Sequence, residues 1–257
     1  MGNCSTTIYS SIRDFRIKGE ICLETMKQIF IYLFLSLKVV GQSYSINVFG
    51  FHACDVDQII SSPDKIEFKT QNRGVFDLIW PTNNYYKTIF DPINFALKRW
   101  EKKIDQRAYK KNVSAVIDTS GSIQYNNKQK ISLSSPIYNI FSMLAMVQLY
   151  DKELLDTKWF HYEHQGQLGK ARFLWSDSTN IWNGQDSIPC DHYRFDILIS
   201  DSSQSIKTQD YFMKHIANDN SIKELWVSRK KTKRIIAASI KMKYLFLRAQ
   251  IIPKKEV

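Results

Sequence analysis

Residues 81–118, PTNNYYKTIFDPINFALKRWEKKIDQRAYKKNVSAVID, restrict the fold more than any other stretch, because they read only as short paired strands. Asn83-Asn84 is turn chemistry, since asparagine tolerates left-handed backbone and bonds to its own main chain. Residues 85–90 then supply aromatic and β-branched side chains that suit a pleated, half-buried surface. Asp91-Pro92 interrupts them, because proline lacks a ladder donor and forces its predecessor into extended geometry. Beyond it Phe95, Leu97 and Arg99 alternate with Ala96, Lys98 and Trp100, a period near two. A polar link follows, and residues 113–117 close the unit. Three strands with tight connections predict an antiparallel meander.

Residues 86–92 (YKTIFDP), 95–103 (FALKRWEKK), Tyr109-Lys110-Lys111 and Asp118 together resemble the core signature of an uncharacterised bacterial family, domain of unknown function 3108. Residues 137–144 and 224–228 resemble its mid-chain helix start and a late strand, so the similarity spans residues 44–252. The resemblance implies an exported, β-rich protein and carries no activity. The chain departs from that family at Ala96 (usually Pro), Asn139 (usually Asp) and Gln148 (usually Arg), and Arg229-Lys230-Lys231 replaces an acidic turn. A polar pair between the family's Asp and Arg is therefore absent here.

The remaining text is also strand-like. Residues 44–51, 56–60, 66–70 and 75–80 read as strands, broken at Gly50, Ser61-Ser62-Pro63 and Asn72-Arg73-Gly74. Residues 121–125 and 130–133 add two more. Residues 138–150 form the one convincing helix, apolar almost all round and so buried. Residues 158–164, 171–175 and 192–200 read as strands, with a polar turn-rich stretch over 176–189. A short helix over 208–217 precedes strands at 221–228, 234–242 and 244–252. The expected fold is mainly β: an antiparallel curved sheet or incomplete barrel around one central helix.

Residues 26–43 have a positive start, a short apolar run and small residues, the layout of an export signal. Residues 1–25 then read as a non-native or disordered extension, and 44–257 as one β-rich domain. A rival reading is Met1-Gly2-Asn3-Cys4-Ser5-Thr6 as an acylation motif at Gly2, which would anchor an intracellular protein to a membrane. Export would leave Cys54 and Cys190 in an oxidising compartment, either paired or as two small buried hydrophobes.

The formal charge is +11, and residues 223–257 carry eleven Lys or Arg against two Glu. Arg229, Lys230, Lys231, Lys233 and Arg234 form its densest cluster, a surface for an anionic envelope component or simply a solvated face. No nucleic-acid-binding motif accompanies it, so no specific nucleic-acid binding is expected. His161 and His164 lie on a strand and face opposite ways, so no metal site is expected, and there is neither a nucleophile elbow nor a phosphate loop. No cofactor is expected. Trp80, Trp100, Met143 and Met146 are candidate linings for a cavity that holds a lipid or other apolar ligand, though core packing is the better account of the methionines. The leading reading is a non-enzymatic, exported envelope protein that shields an apolar ligand or assists envelope assembly. The alternatives are an interaction module using strand edges and the basic surface, and, third, a hydrolase gathering His161, His192 and a carboxylate.

Overall fold

The computed structural model describes residues 40–126, 129–132, 136–201, 205, 206, 208 and 210–253. The extension over 1–25, most of the export signal over 26–43 and acylation at Gly2 fall outside the described residues.

Among these residues one sheet of fifteen strands carries the chain. β1 (Val40–Val48), β2 (Phe51–Ser62), β3 (Lys65–Asn72), β4 (Asn83–Phe90), β5 (Leu97–Gln106), β6 (Tyr109–Ile117), β7 (Ser122–Tyr125) and β8 (Gln129–Ser132) lie side by side in chain order. β9 (Ile137–Tyr138), β10 (Phe160–His164), β11 (Gln167–Trp182), β12 (Ser187–Asp201), β13 (Ile222–Ser228), β14 (Ile235–Lys241) and β15 (Phe246–Ile252) do the same, and β15 returns to pair with β1. Only β9 with β10 is parallel. A parallel pair needs a long crossover, and α2 (Ile140–Leu149) with α3 (Lys152–Leu155) supplies it.

The sheet is rolled without being closed by a ladder. Trp100 on β5 donates its indole N–H to Glu163 on β10 at 3.0 Å, although the two strands stand ten places apart in the sheet. The ends therefore overlap. A second apolar cluster fills the overlap, with Leu97, Val113, Ile123 and Ile131 from the first half meeting Ile137 from the second.

Inside the roll sits α2, as its all-round apolar sequence demands. Met143, Ala145 and Met146 are fully buried, and burying one such methionine contributes ~1.5–3 kcal/mol. Asn139 caps the helix: its side chain accepts from the Ser142 amide at 2.9 Å, and Ser142 Oγ accepts from the Asn139 amide. Phe141 packs on Phe68 of β3 and Tyr86 of β4. Gln148 Oε1 accepts from Gln42 and Gln58 of β1 and β2 at 3.0 and 3.1 Å. Asn139 and Gln148 thus serve as a cap and a tether.

The meander of β4, β5 and β6 forms as read from residues 81–118. Between β4 and β5 the Asp91 carboxylate accepts from the amides of Ile93 and Asn94 at 3.0 and 3.2 Å. Phe95 then takes a left-handed φ of 61° and returns its ring to Phe90.

Two local expectations are corrected. Residues 75–80 do not form a strand: Gly74–Ile79 is a helix, α1, with no buried residue. The run VFDLIW is apolar apart from Asp77 and shows no alternation, and periodicity does not separate helix from strand in so short a segment. Residues 176–189 are not mainly turn either, because β11 and β12 continue as a long hairpin that turns at residues 183–186. That part of β11 is mostly exposed, so neither face shows the apolar alternation that marks a half-buried strand.

Candidate functional site

Cross-strand register sets which side chains face the interior of the roll. Directly opposed residues share a face, so Lys223, Ile240, Leu247 and Val48 form one inner row across β13, β14, β15 and β1. The next row is Leu225, Ala238, Ala249, Ile46 and Cys54. Opposite them stands α2 with Ile140, Phe141 and Leu144. A cavity of about 300 Å³ lies between them. Ligand pockets span ~300–1,000 Å³, so this one is small but within range.

The cavity reaches the end of the roll that carries the β1–β2 turn, α1 and the β14–β15 turn. Phe76 and Trp80 from α1 and its C-cap, Tyr211 from α4 (Tyr211–Ile216), and Leu245 line it there. Asn72 holds α1 in place by donating from its side chain to the Trp80 carbonyl at 2.7 Å. Arg73 pairs with Asp55 at 2.6 Å, and Arg107 lies over the Trp80 ring. Around this mouth Phe49, Phe51, Val75, Leu78, Ile79 and Tyr244 are exposed, Leu78 to 84%. Scattered apolar residues are ordinary on a surface, whereas a contiguous collar marks an interaction site.

Few polar groups line the interior, and several are unsatisfied. Gln58 Oε1, Thr70 Oγ1 and His215 Nε2 are buried without a hydrogen-bond partner, and all three residues line the cavity. Burial lowers the His215 pKa, with Lys214 adding to the effect. Lys223 is 4% exposed. Its ammonium donates to the carbonyls of Asn218 and Ser221 at 2.5 and 3.1 Å, and burial pushes its pKa down to about 8.

Of the residues singled out from sequence, Trp80 lines the cavity, while Met143 and Met146 sit in the core. Trp100 lies in the overlap, bound to Glu163. Arg229, Lys230, Lys231, Lys233 and Arg234 occupy the β13–β14 turn at the opposite end from the mouth. Lys233 is bound there to Asp151 and the Tyr150 carbonyl, at 2.7 and 2.8 Å. Cys54 and Cys190 are free and buried, and burial pushes the Cys54 thiol up to about 12, which makes it a poor nucleophile.

His161 and His192 do not meet: along β11, His161 stands opposite Lys170 and His192 opposite Asp177. His192 stacks on Trp226 instead. Among the described residues no three His, Cys, Asp or Glu side chains gather as a metal site requires. Sequence reasoning missed Lys223, counted only as part of a basic tail, and the VFDLIW helix. An apolar run interrupted only by Asp77, beside a glycine, was the available sign of the latter.

No family model matches the chain, and no curated protein matches it. Among solved structures it is similar to a crystal structure described as a β-barrel-like protein of domain of unknown function 1849 from Brucella abortus. The TM-score is 0.53 at 6% sequence identity, over 84% of this chain and 96% of that one. Such a likeness shows the fold alone. It corrects the resemblance to domain of unknown function 3108: the structural similarity is to domain 1849. The residues that carried the earlier resemblance form strands and an aspartate turn, features that any antiparallel meander reuses.

Proposed function

We propose that this chain is a non-enzymatic, exported envelope protein that takes an apolar ligand into the rolled sheet through the α1 end. The observation that carries the reading is the apolar cavity of about 300 Å³, lined by Leu225, Ala238, Phe141 and their neighbours. A fold that needed only stability would close such a space, because a void forfeits dispersion contacts along its whole lining. The collar at the mouth supports passage of an apolar molecule, since α1 has no buried residue. Export rests on residues 26–43 as read from the sequence.

The test is binding of the neutral fluorophore N-phenyl-1-naphthylamine to the purified chain, beside A238W, whose indole would fill the cavity. Saturable fluorescence enhancement that A238W abolishes is the expected result. Enhancement that is absent, or unchanged in a folded A238W, overturns the reading.

A further inference from the structure

We propose that the occupant of the cavity is a single-chain amphiphile with an anionic head, a carboxylate or a phosphate monoester, with the head at Lys223 and His215 and the chain running inward toward α2. The inference rests on the cavity being an apolar-ligand site and adds the chemical class of the ligand.

Lys223 is the anomaly that points to it. Its place in the inner row beside Ile240, Leu247 and Val48 turns it into the roll. Lysine is almost never buried unless paired, because removing an ammonium from water costs several kcal/mol. Here two of its three donors go to neutral carbonyls, and among the described residues no carboxylate lies within ion-pair distance of it. Asp196 and Asp219 act on it only from further away, and Arg194 opposes them. An inward-facing cation without a counter-ion, at the open end of an apolar space, is completed by an anion with an apolar body.

A second observation agrees. His215, on α4, lines the same cavity and keeps Nε2 buried and without a partner. Tyr211, one turn earlier, meets the His215 ring edge-on at 4.8 Å between centroids. The imidazole offers a hydrogen bond at the end of the cavity where Lys223 offers charge.

The polar atoms further in favour this orientation over its reverse. Gln58 Oε1 is an acceptor and repels an anion, and Thr70 offers a single hydroxyl without charge. A volume of about 300 Å³, at the bottom of the usual ~300–1,000 Å³ range, suits one chain rather than two.

The experiment measures displacement of N-phenyl-1-naphthylamine by dodecanoate, dodecyl phosphate and dodecanol, which share a chain and differ in the head. Wild-type protein is expected to bind at least one of the two anions about tenfold to a hundredfold more tightly than dodecanol, the range for a charge-assisted hydrogen bond. Whichever anion binds tighter identifies the head. K223M is expected to erase that preference while leaving dodecanol binding unchanged, and K223Q serves the same purpose should K223M fail to fold. Equal binding of anions and alcohol by wild type, or a preference that survives in K223M or K223Q, overturns the anionic head and leaves the cavity reading standing. Failure of all three chains and of the fluorophore removes the cavity reading and this proposal together.

Discussion

Replacing Glu163 with glutamine tests whether the overlap of the rolled sheet depends on one buried acceptor. Glu163 is fully buried. Its Oε2 accepts from the Trp100 indole at 3.0 Å, and its Oε1 accepts from Tyr125 Oη at 2.5 Å and the Gly166 amide at 3.0 Å. Both oxygens therefore face donors. An amide in the same place must turn its NH₂ either toward the Trp100 N–H or toward the Gly166 N–H, and in each case one donor meets another. The orphaned donor costs about 1–3 kcal/mol.

A double-mutant cycle with W100F isolates this cost, because phenylalanine removes the indole donor and the amide then has a side on which to place its NH₂. Urea unfolding at pH 7 should show E163Q losing about 1–3 kcal/mol in wild type and much less in W100F. Additivity within about 0.5 kcal/mol would refute the argument. The pH dependence supplies a second check. Burial raises the Glu163 pKa above its unfolded value, so the folded chain holds this proton more tightly. Its contribution to stability is complete below the unfolded pKa and is lost as pH rises through the folded one. Wild type should therefore gain stability relative to E163Q as the pH falls from neutrality.

Two further substitutions test the packing of the rolled sheet. K102M removes the partner of Asp210, a pair 3.1 Å apart with both side chains almost fully buried; unfolding should show a loss of about 3–5 kcal/mol, the cost of stranding a buried charge, and a loss below 1 kcal/mol would contradict it. G169A places a methyl 2.0 Å from the Leu198 carbonyl oxygen across the β11–β12 ladder; at least about 1–3 kcal/mol should be lost, with faster amide exchange along β11, and wild-type exchange there would show that the ladder accommodates the methyl.

Local patterns in the sequence determined much of this protein. The alternation around Leu97 and Trp100 and the turn at Asp91-Pro92 specify the β4–β5–β6 meander, because pleat period and turn chemistry are properties of adjacent residues. The all-round apolar run read over residues 138–150 specifies a buried helix for the same reason, and it forms over Ile140–Leu149. Where a single apolar stretch has no period to read, as in VFDLIW, or a strand has two wet faces, as in β11, the local signal fails and helix or strand is settled by neighbours.

Tertiary structure alone decided the rest. β1 meets β15 across nearly the whole described chain, a pairing that no local pattern encodes. The roll of the sheet and the β13–β14 register give Lys223 its inward direction, although along the sequence it is one more cation in a basic tail. Trp100 shows the same limit: its aromatic character was legible, but its partner, Glu163, lies 63 residues away. The cavity lies between α2, packed against Phe68 and Tyr86, and the inner rows of β13 to β15. A gap between elements is set by how side chains from distant segments fill a common volume, and a linear order of residues carries no measure of volume.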